Sequence, residues 1–207
     1  MAKKTAKKRR PRRDPDEVDP ILHLEEDEVL QMVKAAAELG RNGERDSAMI
    51  LMAFHHGLRA TECCRFRWER VWLKKGQIYV TRVKGSKSGP HELWPEDITA
   101  LKDLDPQPAG YVFRSEAKQD PGPVSECGFF RIVRRAGKAA GLGAKCHPHQ
   151  LRHACGHWMW GLGFEQREIQ IHLGHRNIQN SEHYTAVGDS HMSERWKQLM
   201  AKKGGRA

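Results

Sequence analysis

The first clear hydrophobic pattern in the chain is that of an amphipathic helix. From about Glu25 to Leu39, in EEDEVLQMVKAAAEL, apolar residues gather on one side, and Val29 and Met32 stand three positions apart. That is the spacing of side chains on one face of a helix. The preceding stretch DPDEVDP is acidic and interrupted by proline, which is typical of a linker.

Two more helices are predicted directly after the first. ERDSAMILMAFHHG is mostly apolar, as in a buried helix, and it ends at Gly57. TECCRFRW predicts a further helix with Thr61 near its N-cap, a position that threonine favours. Arg59 is therefore expected at a corner between two helices.

The middle of the chain changes to a pattern of extended segments. GQIYVTRVKGSKSGPHELWP contains a β-branched and aromatic run, a turn of Gly, Ser and Lys, and a second short extended segment. This predicts a hairpin with lysines at its tip. The run YVF at 111–113 is a candidate third strand.

Helical patterns return after Pro123. They lie in VSECGFFRIVRRAGKAAG, in HQLRHACGHWMWGLG and in EQREIQIHLG. Taken together, the patterns predict an α+β fold that is mainly helical and carries a small antiparallel β-sheet.

Composition adds a basic tail to this picture. The chain has 207 residues and a net charge of +10, and its first 13 residues, MAKKTAKKRRPRR, contain eight basic residues and no acidic one. The rest of the chain therefore carries about +2. Such a run is usually disordered and suits a polyanion backbone, although a tail that only improves solubility is the alternative.

Cysteine content and hydropathy indicate the compartment. Five cysteines, an odd number, fit reduced thiols better than a disulfide framework. The sequence shows no signal peptide, and no apolar run approaches the roughly 20 residues that a membrane helix needs. We therefore expect a cytoplasmic protein that does not associate with a membrane.

The candidate chemistry is concentrated between residues 147 and 184. This stretch, HPHQLRHACGHWMWGLGFEQREIQIHLGHRNIQNSEHY, contains seven histidines, three arginines and a closing tyrosine. His149 and Arg152 are three positions apart on a predicted helix, so they share a face, and a guanidinium can hold two phosphate oxygens at once. The alternative for this pair is an ordinary solvated helix face.

A metal site is a second interpretation of the same stretch. His149, His153 and His157 recur at every fourth position, with Cys146 and Cys155 nearby. However, no His-Glu-x-x-His motif is present, and Arg152 would stand among the ligands. The sequence therefore favours a phosphate site, and we expect neither a metal nor another cofactor.

Six residues on separate predicted elements could together act on a phosphate. Two arginines would hold nonbridging oxygens, a lysine would protonate a leaving oxygen, histidines would transfer protons, and a tyrosine would attack. The residues are Arg59, Lys84 (or Lys87), His149, Arg152, His175 and Tyr184.

The motifs that carry these residues resemble those of the tyrosine recombinase (phage integrase) family. GLRATE contains Arg59, HQLR contains His149 and Arg152, LGH contains His175, and Tyr184 follows nine residues later. The resemblance covers about residues 25–190. In its brevity, and in HPHQLRHACG followed by LGHRNI, the chain looks most like the short recombinases that invert fimbrial phase-switch promoters.

The resemblance implies a reaction without metal or high-energy cofactor. Tyr184 would attack a DNA phosphate to give a 3′-phosphotyrosine and a free 5′-hydroxyl, which then attacks the partner duplex. Arg59 and Arg152 would hold the scissile phosphate, while His149 and His175 would serve proton transfer and phosphate positioning.

The general acid that the family implies is a lysine of the predicted hairpin. Counting from the strand QIYVTRV places Lys84 at the position of the family pattern. Lys87 is only three residues away, and the flexible Gly85 and Gly89 would let the hairpin present either one. We favour Lys84.

The resemblance also implies partners and a domain organisation. We expect residues 1–22 to form a basic, disordered tail with an acidic linker, residues 23–190 the catalytic domain, and residues 191–207 a C-terminal helix with a basic tail. The expected partner is double-stranded DNA with specific recombination sites, bound by a homotetramer with accessory DNA-bending proteins, in the cytoplasm at the nucleoid. We predict that the C-terminal helix docks on a neighbouring subunit, and packing on its own domain is the alternative.

Two other functions fit the same fold. One is a DNA-binding regulator without catalysis, and the other is an enzyme like the type IB topoisomerases, which share the phosphotyrosine chemistry. All six expected positions hold competent residues, which disfavours the regulator, and the HQLR and LGH boxes favour recombination. Inversion, integration and excision all remain open at this point.

The basic tail gives the first testable prediction. If its eight basic residues bind DNA phosphates, deleting residues 2–13 will weaken DNA binding and flatten its salt dependence, by about 0.9 in the log–log slope for each phosphate that is no longer neutralised. The measurement is a binding titration at several salt concentrations. A full-length variant with the eight residues changed to glutamine separates charge from length, and an unchanged slope in both would show that the tail does not bind DNA.

Overall fold

The computed structural model describes residues 24–83, 85–116, 122–142, 146–174 and 196–201. Within these ranges it contains seven α-helices and three β-strands, besides a last helical stretch at 196–201. The elements are α1 (Glu26–Ala37), α2 (Gly43–His55), α3 (Ala60–Cys64), β1 (Val71–Trp72), β2 (Gln77–Val80), β3 (Gly89–Glu92), α4 (Pro95–Asp103), α5 (Glu126–Ala139), α6 (Pro148–Gly161) and α7 (Gln166–Leu173). The predicted fold class, mainly helical with a small antiparallel sheet, is confirmed.

Helix α2 lies at the centre of the core. It packs against α1, α4, α5 and α6, and ten of its 13 residues are buried, including Met49, Met52 and Phe54. A helix that is covered on all sides needs apolar residues all round, which explains why its sequence lacks a clear polar stripe. The end of α2 is consequently held firmly, and the next turn of the chain begins from a fixed position.

The sheet follows the order β1-β2-β3, with both pairs antiparallel. Along β2, Ile78 and Val80 are buried and alternate with partly exposed residues, the pattern of a strand with one face on the core. Ile78 lies opposite His91 of β3, and Val80 lies opposite Gly89. The predicted hairpin is therefore confirmed, and Lys87 lies between its two strands.

The third strand is not the predicted one. Residues 111–113 form no strand; Tyr111 makes an isolated bridge with Arg67, whereas Val112 and Phe113 are buried in the core. The third strand is Val71–Trp72, which pairs with β2. The run YVF is apolar because it fills the core, and burial selects the same residue types as a strand.

Two helices also differ from the prediction. Helix α3 ends at Cys64 instead of continuing to Trp68, because the chain turns so that the Trp68 N–H donates to the carbonyl of Gly110 at 2.9 Å. Helix α4 was not predicted, although Pro95 occupies its first turn. Its nine residues are too short for a clear helical period.

The described end of the chain packs on its own domain. Trp196 is 3% exposed, and its ring lies 4.4 Å from that of Phe164 and 5.3 to 5.5 Å from those of Trp94, Trp158 and His172. Trp196 therefore packs on its own domain in this single chain, and docking of the C-terminal helix on a neighbouring subunit stays a prediction. No helix of the described ranges has the length and apolarity needed to span a membrane.

A buried carboxylate joins α4 to the end of α2. Asp97 is fully buried and accepts hydrogen bonds from His55 Nδ1 at 2.8 Å, from His56 Nε2 at 3.2 Å and from the Trp94 N–H at 3.0 Å. Burial by itself raises the pKa of this carboxyl, but the two imidazoles outweigh it, so that the pKa lies below its usual range. The carboxylate is ionised at neutral pH.

Replacing this carboxylate tests its contribution to the fold. We expect Asp97→Asn to lower the free energy of unfolding by about 3 kcal/mol at pH 7, because it breaks a buried hydrogen-bonded pair. Because the pKa of Asp97 is lower in the folded state, the stabilisation is complete above the unfolded value of about 4 and is lost as the pH falls below it. The difference in the free energy of unfolding between the wild-type protein and Asp97→Asn should therefore become smaller in acid.

The control is Asp103→Asn, an exposed carboxylate on the same helix. We expect it to change stability by no more than about 0.5 kcal/mol. Chemical denaturation at pH 7 and at pH near 3 gives both measurements, and equal stability of the two variants at pH 7 would contradict the role of Asp97.

Candidate active site

Arg59 lies at the corner between α2 and α3, as predicted. Gly57 makes the turn with a left-handed φ of +55°, which a side chain would strain, and a Cβ there would lie 2.3 Å from Leu173 of α7. The chain then extends so that Arg59 caps α3. The corner is consequently packed tightly against the end of α7.

Glu62 orients the side chain of Arg59. Its carboxylate accepts a hydrogen bond from Arg59 Nη1 at 2.6 Å and another from the Arg59 backbone N–H at 3.0 Å. Burial raises the pKa of Glu62, but the charge of Arg82 and the hydrogen bonds to the carboxylate lower it by a larger amount. The pKa of Glu62 therefore lies below its usual value. Arg59 is therefore paired with an ionised carboxylate and keeps about a quarter of its side chain exposed.

Arg152 of α6 is held by backbone carbonyls rather than by a carboxylate. Nη1 donates to the carbonyl of Gly57 at 2.5 Å and Nη2 to that of Leu173 at 2.6 Å. Burial, and then the charges of Arg82 and Arg59, lower its pKa to about 10. The guanidinium remains cationic at neutral pH, and its positive charge is available to an anion.

His149 stands beside these two arginines on one cavity. The cavity has a volume of about 540 Å³, and its lining includes Arg59, His149, Arg152, His153 and Trp160. Partial burial and the charges of His153 and Arg152 lower the pKa of His149. The imidazole is therefore neutral at pH 7, a state in which it can accept a proton.

Half of the predicted site residues lie within the described ranges. Arg59, His149 and Arg152 line the same cavity, and the binding of a phosphate there stays a prediction. The other three, Lys84, His175 and Tyr184, lie outside the described residues. Lys87, the alternative to Lys84, is described on the β2–β3 hairpin.

The two cysteines considered as metal ligands, Cys146 and Cys155, are both buried. All five cysteines are free thiols, and Cys155 is buried, with its Sγ 3.7 Å from the carbonyl of His55. Burial raises its pKa to about 12, so it is a thiol and not a thiolate. Within the described ranges, no three His, Cys, Asp or Glu side chains form a group that could hold a metal ion.

Two residues of the site were not identified from the sequence. Glu62 stands in the GLRATE motif but carried no assigned role, and Arg82 lies next to the hairpin lysines in TRVKG. The sequence did contain a signal for Arg82. Ile78 and Val80 are the alternate apolar positions of β2, and Arg82 is the next position in that alternation. Its significance depends on contacts that are distant in sequence.

Comparison with known proteins assigns the chain to a family. The model of the phage integrase family matches residues 23–191, which is most of the chain. The chain belongs to the phage integrase family. It is accordingly a site-specific recombinase enzyme of the tyrosine class, as the sequence motifs predicted.

Curated relatives include fimbrial regulators. The chain is 36% identical over 170 residues to the type 1 fimbriae regulatory protein FimB of Escherichia coli K12, covering 79% of this chain and 83% of FimB. It is 33% identical over 179 residues to FimE of the same strain, covering 82% and 87%. The predicted likeness to short fimbrial recombinases is confirmed.

Solved structures show the same fold. The crystal structure of XerA recombinase matches with a TM-score of 0.64 and 27% identity, over 86% of this chain and 64% of that one. XerH recombinase, in a pre-cleavage complex with its difH substrate, matches with a TM-score of 0.62 and 20% identity, over 83% and 52%. The chain thus spans less than two thirds of the length of these recombinases.

The carboxylate behind Arg59 gives a prediction for catalysis. We expect Glu62→Gln to lower the rate of DNA cleavage by roughly 10- to 100-fold, because Arg59 loses its orienting partner. DNA affinity should stay equal or rise slightly, since a negative charge near the phosphate is removed. Single-turnover cleavage and a binding titration measure the two effects.

Glu69→Gln is the matched control. Glu69, like Glu62, pairs with an arginine that precedes it closely in the sequence, but its partner Arg67 lies on the surface, and both side chains are about 40% exposed. Such pairs contribute little, so cleavage should remain at the wild-type rate. A Glu62→Gln protein that cleaves as fast as the control would show that Arg59 does not depend on this carboxylate.

Proposed function

We propose that the protein cleaves and rejoins DNA through a covalent bond between Tyr184 and a 3′-phosphate. The observation that supports the proposal is the meeting of Arg59, Arg152 and His149 on one cavity, with both arginines fixed by partners behind them. Two guanidinium groups can hold the nonbridging oxygens of one phosphate. In the transition state they would stabilise the charge that develops on those oxygens.

The proposed first step transfers the phosphate from DNA to the protein. The Tyr184 oxygen attacks phosphorus, the bond to the 5′-oxygen breaks, and Lys84 supplies the proton that the departing oxygen needs. His149, which is neutral at pH 7, accepts or returns protons, and His175 helps to position the phosphate. Reversal by the 5′-hydroxyl of a second duplex completes strand exchange.

This mechanism conserves the energy of the DNA backbone. A phosphodiester is exchanged for a phosphotyrosine ester and then restored, so no nucleotide cofactor is required. The two arginines supply the positive charge that a metal ion supplies in other phosphoryl-transfer enzymes. The same charge also attracts the DNA backbone.

The proposed substrate is double-stranded DNA with specific sites, recombined by a homotetramer in the cytoplasm at the nucleoid. Exchange between two duplexes involves four strands, and one subunit for each strand gives four. We further propose inversion of a short DNA segment, with DNA-bending proteins assisting, because FimB and FimE regulate fimbriae and cover most of this chain. If the wild-type protein forms no covalent adduct with DNA, the alternative of a DNA-binding regulator without catalysis is favoured instead.

Tyr184→Phe tests the nucleophile. A phenol has a pKa near 10 and attacks at neutral pH only with the help of its surroundings. The variant keeps the ring and removes the oxygen, so we expect nearly unchanged DNA affinity and complete loss of a denaturant-resistant protein–DNA adduct. The measurement uses a nicked suicide substrate, followed by denaturing electrophoresis.

Two outcomes would contradict the proposal. An adduct that persists in Tyr184→Phe would show that another residue attacks. An adduct of the wild-type protein that disappears in excess chelator would show that the mechanism needs a metal. Tyr79→Phe is the control, because Tyr79 lies on β2 and stacks with the surface residue Arg70.

A further inference from the structure

Arg82 is a buried cation that joins three segments of the site. Its side chain is 1% exposed. Nη1 donates to the carbonyl of Gly57 and to the carboxylate of Glu62, each at 2.9 Å. Nη2 donates to the carbonyls of His56 at 2.9 Å and of His172 at 2.5 Å. One side chain therefore connects the end of β2 with the corner before Arg59 and with the last turn of α7.

The backbone around Arg82 is fixed as well. The Arg82 N–H donates to the hydroxyl of Ser88 across the hairpin at 3.0 Å, and the Val83 N–H donates to Glu62 at 3.1 Å. Glu62 thus binds both the hairpin and Arg59. Val83 directly precedes Lys84 in the sequence, and its backbone is held by this hydrogen bond.

The hairpin also approaches α7 closely. Gly174 ends α7 with a φ of +67°, and a Cβ at this residue would lie 2.9 Å from the carbonyl oxygen of Lys87 and 3.1 Å from Cγ of Arg82. Only a glycine allows this approach without displacement of the backbone. The distance between the hairpin and the turn that precedes Arg59 is consequently set by close packing and by the four hydrogen bonds of the Arg82 side chain.

Stability alone is a weak reason for burying this arginine. Burial disfavours the cation, and apolar residues of similar volume often stabilise a core as well as a buried ion pair does. Moreover, Arg59 and Arg152 lie close enough to oppose its charge, whereas Glu62 is the carboxylate that it contacts within the described residues. An arginine here does what no apolar residue could do, which is to bind four acceptors from three segments in fixed directions.

We propose that Arg82 is a positioning residue, which holds Lys84 at the correct reach from the phosphate that Arg59 and Arg152 bind. The proposal rests on the proposed function, in which Lys84 protonates the departing 5′-oxygen. Loss of Arg82 would leave the phosphate site occupied but would misplace the proton donor. The defect would therefore lie in the departure of the leaving group.

A sulfur leaving group separates this defect from a general loss of structure. In a DNA substrate with sulfur in place of the bridging 5′-oxygen, Tyr184 forms the same bond to phosphorus, and the P–S bond breaks with its electron pair on sulfur. A thiol has a pKa near 8.5 and is far more acidic than an alcohol, so the thiolate departs without a proton from lysine. A variant that lacks only proton donation should recover its rate on this substrate.

The experiment compares cleavage rates on the sulfur and oxygen substrates for each full-length protein. The ratio of the two rates is independent of the fraction of folded enzyme, because both rates come from the same preparation. We expect Lys84→Ala to raise the ratio by about 100-fold or more over wild type, in line with the usual contribution of general acid catalysis. Arg82→Lys and Arg82→Gln should raise it by about tenfold or more, and the exposed control Arg70→Gln should leave it unchanged.

The outcomes distinguish the two proposals. If the ratio rises in Lys84→Ala but stays at the wild-type value in both Arg82 variants, Arg82 serves only the fold, whatever its effect on the absolute rate. If Lys84→Ala itself keeps the wild-type ratio, the role of Lys84 in the proposed function is wrong. The positioning role of Arg82 is then wrong as well. A raised ratio in Lys84→Ala and in the Arg82 variants supports both.

Discussion

The arrangement of the site depends on one backbone atom, the carbonyl oxygen of Gly57. Two buried guanidinium groups donate to it, from Arg152 at 2.5 Å and from Arg82 at 2.9 Å, and a carbonyl has two lone pairs to accept them. Gly57 can present this oxygen because it adopts a left-handed conformation and has no Cβ to strike Leu173. Helix α6, the hairpin and the end of α2 are thereby fixed to one another.

The shared carbonyl oxygen also helps to keep several positive charges close together in the site. Three arginines, Arg59, Arg82 and Arg152, lie near one ionised carboxylate, Glu62, so positive charge is in excess among the described residues. Their mutual repulsion is tolerated because backbone carbonyls hold two of them and because α2 is packed on all sides. In the proposed mechanism, a phosphate that enters the cavity compensates the excess charge. The arginines are already held by hydrogen bonds within the chain, and such prior organisation is the condition for the electrostatic catalysis that we propose.

Much of the fold could be predicted because it follows from local patterns. Helices α1, α2, α5, α6 and α7 and the hairpin were recognised from residues that lie within one or two turns of one another. The errors occurred where an element is short or where burial mimics a strand. Val71–Trp72 has two residues and no pattern of its own, whereas Val112 and Phe113 are apolar because they fill the core. Pairing of strands and placement of a core residue are decided by distant neighbours.

The site divides in the same way. The sequence by itself determined the family and singled out Arg59, His149 and Arg152 as candidate site residues, because those residues stand in short motifs whose spacing is a property of the chain. The tertiary structure alone decided that Glu62 orients one arginine and that Arg82 connects three segments. The reason is physical: hydrogen bonds such as that from Arg82 to the carbonyl of His172 join groups 90 residues apart, and they exist only after the helices around α2 have packed.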